Sequence, residues 1–523
     1  MERKLQNLPI GVQSFTKLRE RDSLYIDKTA ILARLADEVP AAFLSRPRRF
    51  GKSLTLSTLE AMFAGRSELF KGLAAEEWVK REAARPSPVL RIDMSALVTN
   101  SGTDKFALSL MNRLEMMGAE RGISAAKEGP SDFAARLIET VCKQAGKVVV
   151  LIDEYDKPLL DNICDELAYE EMRKELYSFY TTLKSCDEYM RFIMLTGITK
   201  LSKTAVFSGL NNLNDISMDE SRGDIVGCTQ AELEKYFSER IDAAAAKLQI
   251  SREQTLSKIK EYYDGFCFDG ATKLYNPFSL LLFFDKVRFD NYWYDSASPS
   301  FLTACMKKHR IDSLEEYRHK RVSRDFLSAK EISNADPESL LFQSGYLTIE
   351  KSDENFLVLD YPNKEVLDSL SGLYLATIYS VPDYADESST IRSALRDGDI
   401  SGVVKAYDTI LAPIPYGDFT RHDEALYRSI FAAALRTAGI TCICEPQSSM
   451  GRPDVVAILP ECTAIFEFKL ARSRDDAEKL LAEGKKQINE KDYAAPYSGG
   501  GLSKVVTAVV VIDAEKHCVT RWE

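Results

Sequence analysis

The sequence predicts an α/β protein in three parts: a parallel sheet covered by helices, a mostly helical middle region, and a smaller C-terminal α/β domain. Three observations lead to this fold class. Short apolar runs alternate with helical patterns up to about residue 228, as in parallel sheets with crossover helices. Residues 230–412 are mostly helical in periodicity. Two adjacent runs in residues 455–470 have the lengths expected of paired strands.

The chain length and a turn-rich segment set the predicted domain boundaries. At 523 residues the chain is too long for one hydrophobic core. Residues Pro413–Asp418 are rich in turn formers and separate two periodic regions. We therefore predict domains at residues 1–228, 229–412 and 413–523.

Composition excludes several classes of protein. The net charge of −11 argues against a protein that coats DNA without specificity. No apolar run approaches a membrane span, and the N-terminal residues lack the pattern of a signal peptide. The ten cysteines include no CxxC pair, so neither a disulfide framework nor a structural zinc site is indicated. We expect a cytoplasmic protein without a membrane partner.

Two features of the middle region have more than one interpretation. Residues 301–330 hold 8 Lys and Arg against 4 Asp and Glu, which suits either a phosphate backbone or a solvated helix face. Aromatic pairs such as Tyr262-Tyr263 and Tyr292-Trp293 could stack on bases or fill a core. We favour the solvated face and the core.

A phosphate-binding loop is predicted after the first strand. Residues Ala42–Leu44 form a short apolar run, and Gly51-Lys52-Ser53 precedes an apolar helical pattern. Amides at a helix N-terminus can hold phosphate, while Lys52 reaches the β and γ oxygens and Ser53 coordinates Mg²⁺. Alone, such a tripeptide is a weak signal.

A second strand end supplies the acids that such a site needs. Residues Lys147–Ile152 are a continuous apolar run ending in Asp153 and Glu154. Asp153 would hold Mg²⁺ through water, and Glu154 would orient or deprotonate the attacking water. The run Phe192–Leu195 ends at Thr196, which can sense the γ-phosphate. The alternative is a surface lysine and an ordinary strand end before a helix cap.

The predicted nucleotide site has these members. The ATP-binding residues are Arg49, Phe50, Gly51, Lys52, Ser53, Leu54, Asp153 and Thr196, with Ser53 and Asp153 as metal ligands and Glu154 as a catalytic residue.

The C-terminal region predicts a second phosphate-handling site. Asp454 opens one predicted strand, and Glu467 and Lys469 share a face of the next. If the strands pair, Asp454 and Glu467 can share a divalent metal through oxygen ligands, with Lys469 on the same side. Such a set can activate water and stabilise charge on a phosphodiester. The alternative is a β-hairpin with a surface Glu–Lys pair.

Two helical residues complete this prediction. Glu424 lies on the helical stripe of Tyr427 and Phe431, where a carboxylate needs a partner. Gln487 shares a helical face with Leu480, Gly484 and Ile488, so its amide could reach the site.

These motifs resemble two known families. The spacing of Pro-Asp, twelve residues and Glu-Phe-Lys resembles the PD-(D/E)XK nuclease superfamily, which often has an acidic metal ligand at a position like Glu424 and a glutamine like Gln487. Residues 25–29, 46–53, 151–156 and 195–213 resemble the predicted AAA-ATPase-like family, whose members commonly carry such a nuclease domain. Arg46 in place of the first loop glycine is typical of that family.

The resemblance implies a fold and a function. It implies a P-loop, ASCE/AAA-like ATPase domain, a helical lid with a winged-helix-like module, and a restriction-endonuclease-like domain. We expect an ATP-dependent or ATP-regulated nuclease acting on nucleic acid, DNA rather than RNA, with ATP and Mg²⁺ as cofactors and Mn²⁺ as an alternative in the nuclease site. A nucleotide-gated switch or binding module that does not cut, and a mobile-element factor, are the alternatives. The sequence leaves open whether the chain forms a homo-oligomer.

Overall fold

The computed structural model describes residues 5–126, 128–200, 212–293, 300–309, 311–327, 336–381, 384–419, 423–447, 451–498 and 504–523. Residues 201–211, which belong to one of the family-like motifs, lie outside these ranges. The chain divides into two compact units: unit 1 holds residues 1–302 and 319–365, and unit 2 holds residues 303–318 and 366–523. The boundaries drawn from sequence at residues 228 and 412 stay predictions.

Unit 1 is built on the parallel sheet that the sequence predicts. Its strand order is β2-β3-β4-β1-β5. The strands are β1 (Ala41–Ser45), β2 (Val89–Asp93), β3 (Val148–Asp153), β4 (Met190–Gly197) and β5 (Asn214–Asp215). Every residue of β3 is buried, as expected of a central strand with helices on both faces. Parallel registry brings the ends of β3 and β4 to one edge of the sheet.

Among the residues that the structure describes, eight helices precede or connect the strands of this sheet. They are α1 (Phe15–Glu20), α2 (Thr29–Glu38), α3 (Lys52–Phe63), α4 (Glu76–Ala83), α5 (Thr103–Ala119), α6 (Pro130–Ala145), α7 (Lys157–Leu160) and α8 (Glu166–Ser185). In α6, residues such as Phe133, Leu137 and Val141 are buried at helical spacing. This spacing gives the helix an apolar face toward the sheet and a polar face toward water.

The rest of unit 1, in its described ranges, is helical with one small sheet. Its helices include α9 (Gln230–Leu248), α10 (Arg252–Tyr263) and α11 (Pro277–Lys286), followed by α12 (Ser300–His309), which spans the division between the units, and α13 (Pro337–Ser344). Thr229 with Glu232, and Ser251 with Gln254, form capping boxes that begin α9 and α10.

A three-stranded antiparallel sheet of order β6-β8-β7 was not expected from the helical pattern. It contains β6 (Lys320–Ser323), β7 (Thr348–Ser352) and β8 (Phe356–Asp360). The strands are short and lie between helical segments, so their alternation is hard to separate from helical periodicity. Tyr263 and Tyr292 are buried in the core beside α9 to α11, which confirms the core interpretation of these aromatics.

Unit 2 contains helices and a five-stranded sheet of order β13-β12-β11-β10-β9. The helices are α14 (Lys364–Ile378), whose first two residues belong to unit 1, α15 (Ala385–Asp397), α16 (Ile400–Leu411), α17 (Glu424–Thr437) and α18 (Arg474–Glu490). The strands are β9 (Thr441–Cys444), β10 (Val455–Ile458), β11 (Thr463–Ala471), β12 (Val505–Asp513) and β13 (Cys518–Trp522).

The two faces of the second sheet have different cores. Phe431 of α17 packs against Phe466 and Phe468 of β11 on one face. Ile465 lies in the cluster that includes Ala477 and Ile488 of α18. This alternation sets which face Glu467 shares with Ile465. Among the described residues, no helix combines the length and apolar character required to cross a bilayer.

Candidate functional sites

The loop between β1 and α3 places a helix N-terminus at the carboxyl edge of the parallel sheet. Its backbone is left-handed at Arg49 (φ 66°) and at Gly51 (φ 96°), a conformation that glycine adopts without steric cost. α3 begins at Lys52 directly after this turn. The first-turn amides of a helix have no partner within the helix, so this geometry suits an anion.

Lys52 is held within the loop by carbonyl groups of the loop itself. Its Nζ donates to the Arg46 carbonyl at 2.7 Å and to the Pro47 carbonyl at 2.8 Å. Burial lowers the pKa of the ammonium, and the carboxylates of Asp153 and Glu154 act in the opposite direction. Because charged phosphate oxygens are stronger acceptors than neutral carbonyls, a triphosphate could take over these bonds.

The acids predicted at the end of β3 lie where the sequence indicates. Asp153 is 2% exposed, and its Oδ1 accepts a hydrogen bond from Thr196 Oγ1 at 2.7 Å. Burial raises the pKa of the Glu154 carboxyl, while the Lys52 ammonium lowers it. Glu154 also has left-handed backbone, with φ of 49°. The ends of β3 and β4 therefore bring two acids and a hydroxyl together beside the lysine.

The side chains of the other predicted loop residues have mixed surroundings. Phe50 is buried against Phe266 and Phe268, so its side chain belongs to the core. The Arg49 guanidinium lies 4.7 Å from the centre of the Phe278 ring. The Ser53 carbonyl accepts a hydrogen bond from Arg91 at 3.1 Å, and the Ser53 residue is half-buried.

Leu54 lines an apolar cavity of about 100 Å³ next to the loop. The walls come from the segment before α2, from α3, and from residues after β5 and in α11. They include Tyr25, Lys28, Gly51, Leu54, Val226 and Leu280. An apolar cavity beside a turn that suits an anion could take a planar heterocycle.

The C-terminal carboxylates face each other across two antiparallel strands. Val455, the first residue of β10, pairs with Phe466 of β11, so Asp454, the residue just before the strand, comes level with Glu467. Directly opposed residues point to the same face of a sheet. Lys469 lies two residues after Glu467 on β11, so the two side chains point to the same face of the sheet.

The two carboxylate oxygens of Glu467 have different surroundings. Its Oε1 accepts from Lys469 Nζ at 2.7 Å, and its Oε2 is buried with no hydrogen-bond partner among the described residues. Burial raises the pKa of Glu467, and the carboxylates of Asp454 and Glu424 raise it further. A buried anionic oxygen that faces two other carboxylates is an environment that a divalent cation would relieve.

The other predicted members of this site have defined contacts. Glu424 Oε1 accepts from the Leu470 amide at 3.2 Å at the start of α17. The pKa of Lys469 is raised: burial opposes its charge, but Glu467, Glu424 and Asp454 outweigh burial. Gln487 donates to the Tyr493 hydroxyl at 3.1 Å, so its contact here is with the core beside α18.

Comparisons with known sequences agree with both halves of this description. A family model described as a predicted AAA-ATPase matches residues 9–207. A model of the PD-(D/E)XK nuclease superfamily matches residues 422–522. An uncharacterised protein encoded in the vnfD 5′ region of Azotobacter chroococcum mcd 1 is 33% identical over 517 residues, which cover 96% of this chain and 95% of that protein.

The chain belongs to the AAA-ATPase-like family with a C-terminal PD-(D/E)XK nuclease domain.

In this AAA-ATPase-like chain, Arg46 explains how the loop forms without its first glycine. Arg46 is 1% exposed, and its Nη1 donates to the carbonyls of Ser45 at 2.9 Å and Ser217 at 2.5 Å. Its guanidinium lies 4.6 Å from the centre of the Phe268 ring. The arginine is therefore anchored in the core.

Sequence reasoning missed two residues beside the ATPase-like site. Arg91 of β2 contacts the Ser53 carbonyl and lies 3.8 Å from Asp153 Oδ2. Asp156 Oδ2 accepts from the amides of Ile198 at 3.0 Å and Thr199 at 2.7 Å, and from the Thr199 hydroxyl at 2.6 Å. The position of Asp156 shortly after a strand end was the available signal.

The nuclease-like domain also contains a cation that the sequence motif does not reveal. Arg428 of α17 donates from Nη1 to Asp454 Oδ1 at 2.8 Å and lies 3.0 Å from Glu445 Oε1. Asp454 Oδ2 accepts from the Phe468 amide at 2.7 Å. Arg428 lies one helical turn after Glu424, which is the only hint that the sequence offers.

Proposed function

We propose that this protein is an ATP-dependent or ATP-regulated nuclease that uses a divalent metal to hydrolyse phosphodiester bonds, with DNA rather than RNA as substrate. The proposal combines the two family assignments with the two sites described above. The observation that carries it is the Glu467 carboxylate, which is buried beside Asp454 on the face it shares with Lys469 and whose Oε2 has no hydrogen-bond partner among the residues that the structure describes.

The nuclease chemistry follows from that donor set. Asp454 and Glu467 would hold Mg²⁺ or Mn²⁺, with Glu424 as a further acidic ligand. A bound cation of this kind supplies an activated water and neutralises charge on the phosphate. Lys469 keeps its proton because three carboxylates stabilise the ammonium, so it can donate to a phosphate oxygen as negative charge develops.

The ATPase-like site would work through contact with the phosphates. Lys52 would exchange its two loop carbonyls for phosphate oxygens, and Ser53 and Asp153 would hold Mg²⁺. The raised pKa of Glu154 suits a group that accepts a proton from water. Thr196, whose hydroxyl donates a hydrogen bond to Asp153, would sense the γ-phosphate. The apolar cavity beside Leu54 would take the base.

Cleavage assays on single and double strands of DNA and RNA test the nuclease. We expect Mg²⁺- or Mn²⁺-dependent cleavage by wild type and a loss of at least about 100-fold in Asp454→Asn and Lys469→Met. Lys479→Met is a matched control, because Lys479 is an exposed lysine of the same domain with 76% of its side chain accessible. Cleavage at the wild-type rate in Asp454→Asn would refute this assignment.

The dependence on ATP needs a separate comparison. We expect cleavage by wild type to change on addition of ATP, and the same addition to have no effect on Lys52→Met. If Lys52→Met responds to ATP as wild type does, the nucleotide acts elsewhere. Equal cleavage with and without ATP in wild type would show that cleavage does not depend on ATP, and it would not contradict the nuclease assignment.

A second candidate is a nucleotide-gated switch whose nuclease-like domain binds without cutting. The Arg428–Asp454 pair favours it, since a guanidinium already neutralises one of the two facing carboxylates. Calorimetric titration of the full chain with Mn²⁺ separates the two candidates. Heat that is lost in Glu467→Gln supports the nuclease, and no heat attributable to Glu467 supports the switch.

A further inference from the structure

The indole of Trp293 contacts the turn before α3, residues 46–51, through one hydrogen bond. Trp293 is 5% exposed, and its Nε1 donates to the Arg48 carbonyl at 3.2 Å. Because the peptide bond is trans, the amide of Arg49 points opposite to the Arg48 carbonyl. The contact with Trp293 therefore fixes the direction in which Arg49 offers its amide. Successive amides of a turn are groups that bind an anion.

Trp293 is itself restrained at both its backbone and its ring. Its amide donates to Glu365 Oε1 at 2.7 Å, and Glu365 is 0% exposed. The Ser279 hydroxyl donates to the same carboxylate at 2.9 Å. The centre of the Trp293 ring lies 5.0 Å from that of Tyr346 and 6.1 Å from that of Phe266. A side chain that is already ordered in this way loses little further freedom when it orders a neighbouring segment.

Gly345 brings a second segment against the same turn. It follows α13 with left-handed backbone (φ 89°), and a Cβ built on it would lie 2.7 Å from Cβ and Cγ of Pro47. The Pro47 carbonyl accepts from Lys52 Nζ at 2.8 Å, so α13 ends against a residue that also positions the lysine. Within α13, Gln343 accepts from the Lys200 amide, shortly after β4. One helix thus contacts the turn and the segment that follows the strand of Thr196.

We propose that Trp293 and Gly345 are positioning residues, which keep the turn of residues 46–51 in the shape that binds the phosphates of ATP. The proposal rests on the nucleotide site proposed above. Both residues lie far beyond residue 207, where the match to the AAA-ATPase model ends, and both belong to unit 1. The nucleotide site is therefore completed by a later part of unit 1.

The two contacts act on the affinity for ATP. A flexible turn must be ordered when the ligand arrives, at a cost in conformational free energy, and a turn that is already ordered avoids this cost. Without the indole N–H, the peptide between Arg48 and Arg49 can rotate, and the ligand has to restore its orientation. This cost is the same for the bound substrate and for the transition state. Loss of the contact should therefore raise the KM for ATP and leave kcat unchanged.

Trp293→Phe in the full chain tests the hydrogen bond, because it keeps an aromatic ring and removes the indole N–H. We expect a fluorescent ATP analogue to bind about tenfold more weakly, as for the loss of one hydrogen bond. Without nucleotide, hydrogen exchange of residues 46–51 should be faster than in wild type. Trp78→Phe is the matched control, because Trp78 is 6% exposed and its Nε1 donates to Asp37 of α2 at 3.0 Å. It should leave both measurements at the wild-type values.

Gly345→Ala tests the second contact. The added Cβ would displace Pro47, so we expect binding of the ATP analogue to weaken at least about tenfold. Gly398→Ala is the matched control, because Gly398 also follows a helix with left-handed backbone (φ 70°), and a Cβ there would meet the end of the Lys504 side chain. Both alanine variants should be less stable because of their backbone conformation. Only Gly345→Ala should lose affinity for the analogue.

Two outcomes would overturn the proposal. If Trp293→Phe matches wild type in both exchange of residues 46–51 and affinity, the indole does not position the turn. If Trp293→Phe and Trp78→Phe lose affinity equally, the effect is a general loss of stability. The exchange measurement needs no nucleotide, so it decides whether Trp293 orders the turn even when wild type fails to bind the analogue. That failure would refute the proposed ATP site instead.

Discussion

Replacing Arg428 with methionine should weaken the metal-free fold and strengthen metal binding. The Arg428 guanidinium contacts Asp454 at 2.8 Å and Glu445 at 3.0 Å, and 19% of its side chain is accessible. Two opposite unit charges about 4 Å apart attract by about 4 kcal/mol at an effective dielectric constant of about 20. Desolvation offsets part of this, and a hydrogen bond to a charged group stabilises by about 1.5–3 kcal/mol net.

Two numbers follow from this contact. The methionine variant keeps the aliphatic volume and leaves Asp454 beside Glu467 and Glu424 without its counter-charge, so the unfolding free energy without metal should fall by about 2 kcal/mol. A cation bound at the proposed site would compete with Arg428 for the same Asp454 oxygen. Relief of that competition by about 1.4 kcal/mol would tighten Mn²⁺ binding about tenfold.

Urea denaturation without metal and calorimetric titration with Mn²⁺ measure these two effects. Arg392→Met is the matched control, because Arg392 donates to the carbonyls of Ala438 and Gly439 and to no carboxylate in those contacts. It should lower stability without tightening Mn²⁺ binding. Weaker Mn²⁺ binding in Arg428→Met would refute the competition and show that the arginine holds Asp454 in the geometry that the metal needs.

Three further predictions test other parts of the molecule. Lys52→Met should weaken binding of a fluorescent ATP analogue at least about 100-fold, because charge-assisted bonds to phosphate are lost, while the far-UV circular dichroism stays unchanged. Unaltered affinity would show that the nucleotide does not bind at this loop. Glu365 accepts hydrogen bonds from the Ser279 hydroxyl and the Trp293 amide, and burial raises its pKa to about 8 from the ordinary 4.5. The folded state therefore binds the proton of Glu365 more tightly than the unfolded state does. The free energy of unfolding should fall as pH rises from about 5 to 8, by at most about 1.4 kcal/mol per pH unit. Glu365→Gln should remove this pH dependence in urea denaturation. Phe431→Ala should lower the free energy of unfolding by about 3–5 kcal/mol, because the centre of its ring lies 4.8 Å from that of Phe466 and 4.9 Å from that of Tyr407. Tyr416→Ala, with 75% of the residue exposed, should lower it by less than about 0.5 kcal/mol. Equal thermal shifts in the two variants would contradict this core assignment.

The parts of the fold that sequence reasoning predicted are those with local signals. The continuous apolar run before Asp153 predicted a buried strand, and the structure has β3 at Val148–Asp153. The alternation around Glu467 likewise indicated β11 and the face that Glu467 shares with Lys469. Hydrophobic period is a property of neighbouring residues, so one sequence reveals it.

The parts that sequence reasoning missed depend on contacts between distant segments. Arg428 and Asp454 are 26 residues apart, and no periodicity predicts that a guanidinium on α17 meets the start of β10. The β7 and β8 strands are short and lie in a helical context, which concealed the small sheet. Gln487 lies on the predicted helix and its amide contacts the Tyr493 hydroxyl, a choice of rotamer that the sequence pattern cannot determine; its role in the site stays a prediction.

The buried anchor of Arg46 bears on how readily the phosphate-binding turn can change shape. A loop tethered to the interior by a side chain gives up little conformational freedom when a ligand arrives, so less of the binding free energy is spent on ordering it. The same tether limits how far the turn can open when the ligand leaves. If a nucleotide binds here as proposed, its release should then involve movement of the walls of the cavity beside Leu54 more than movement of the turn itself.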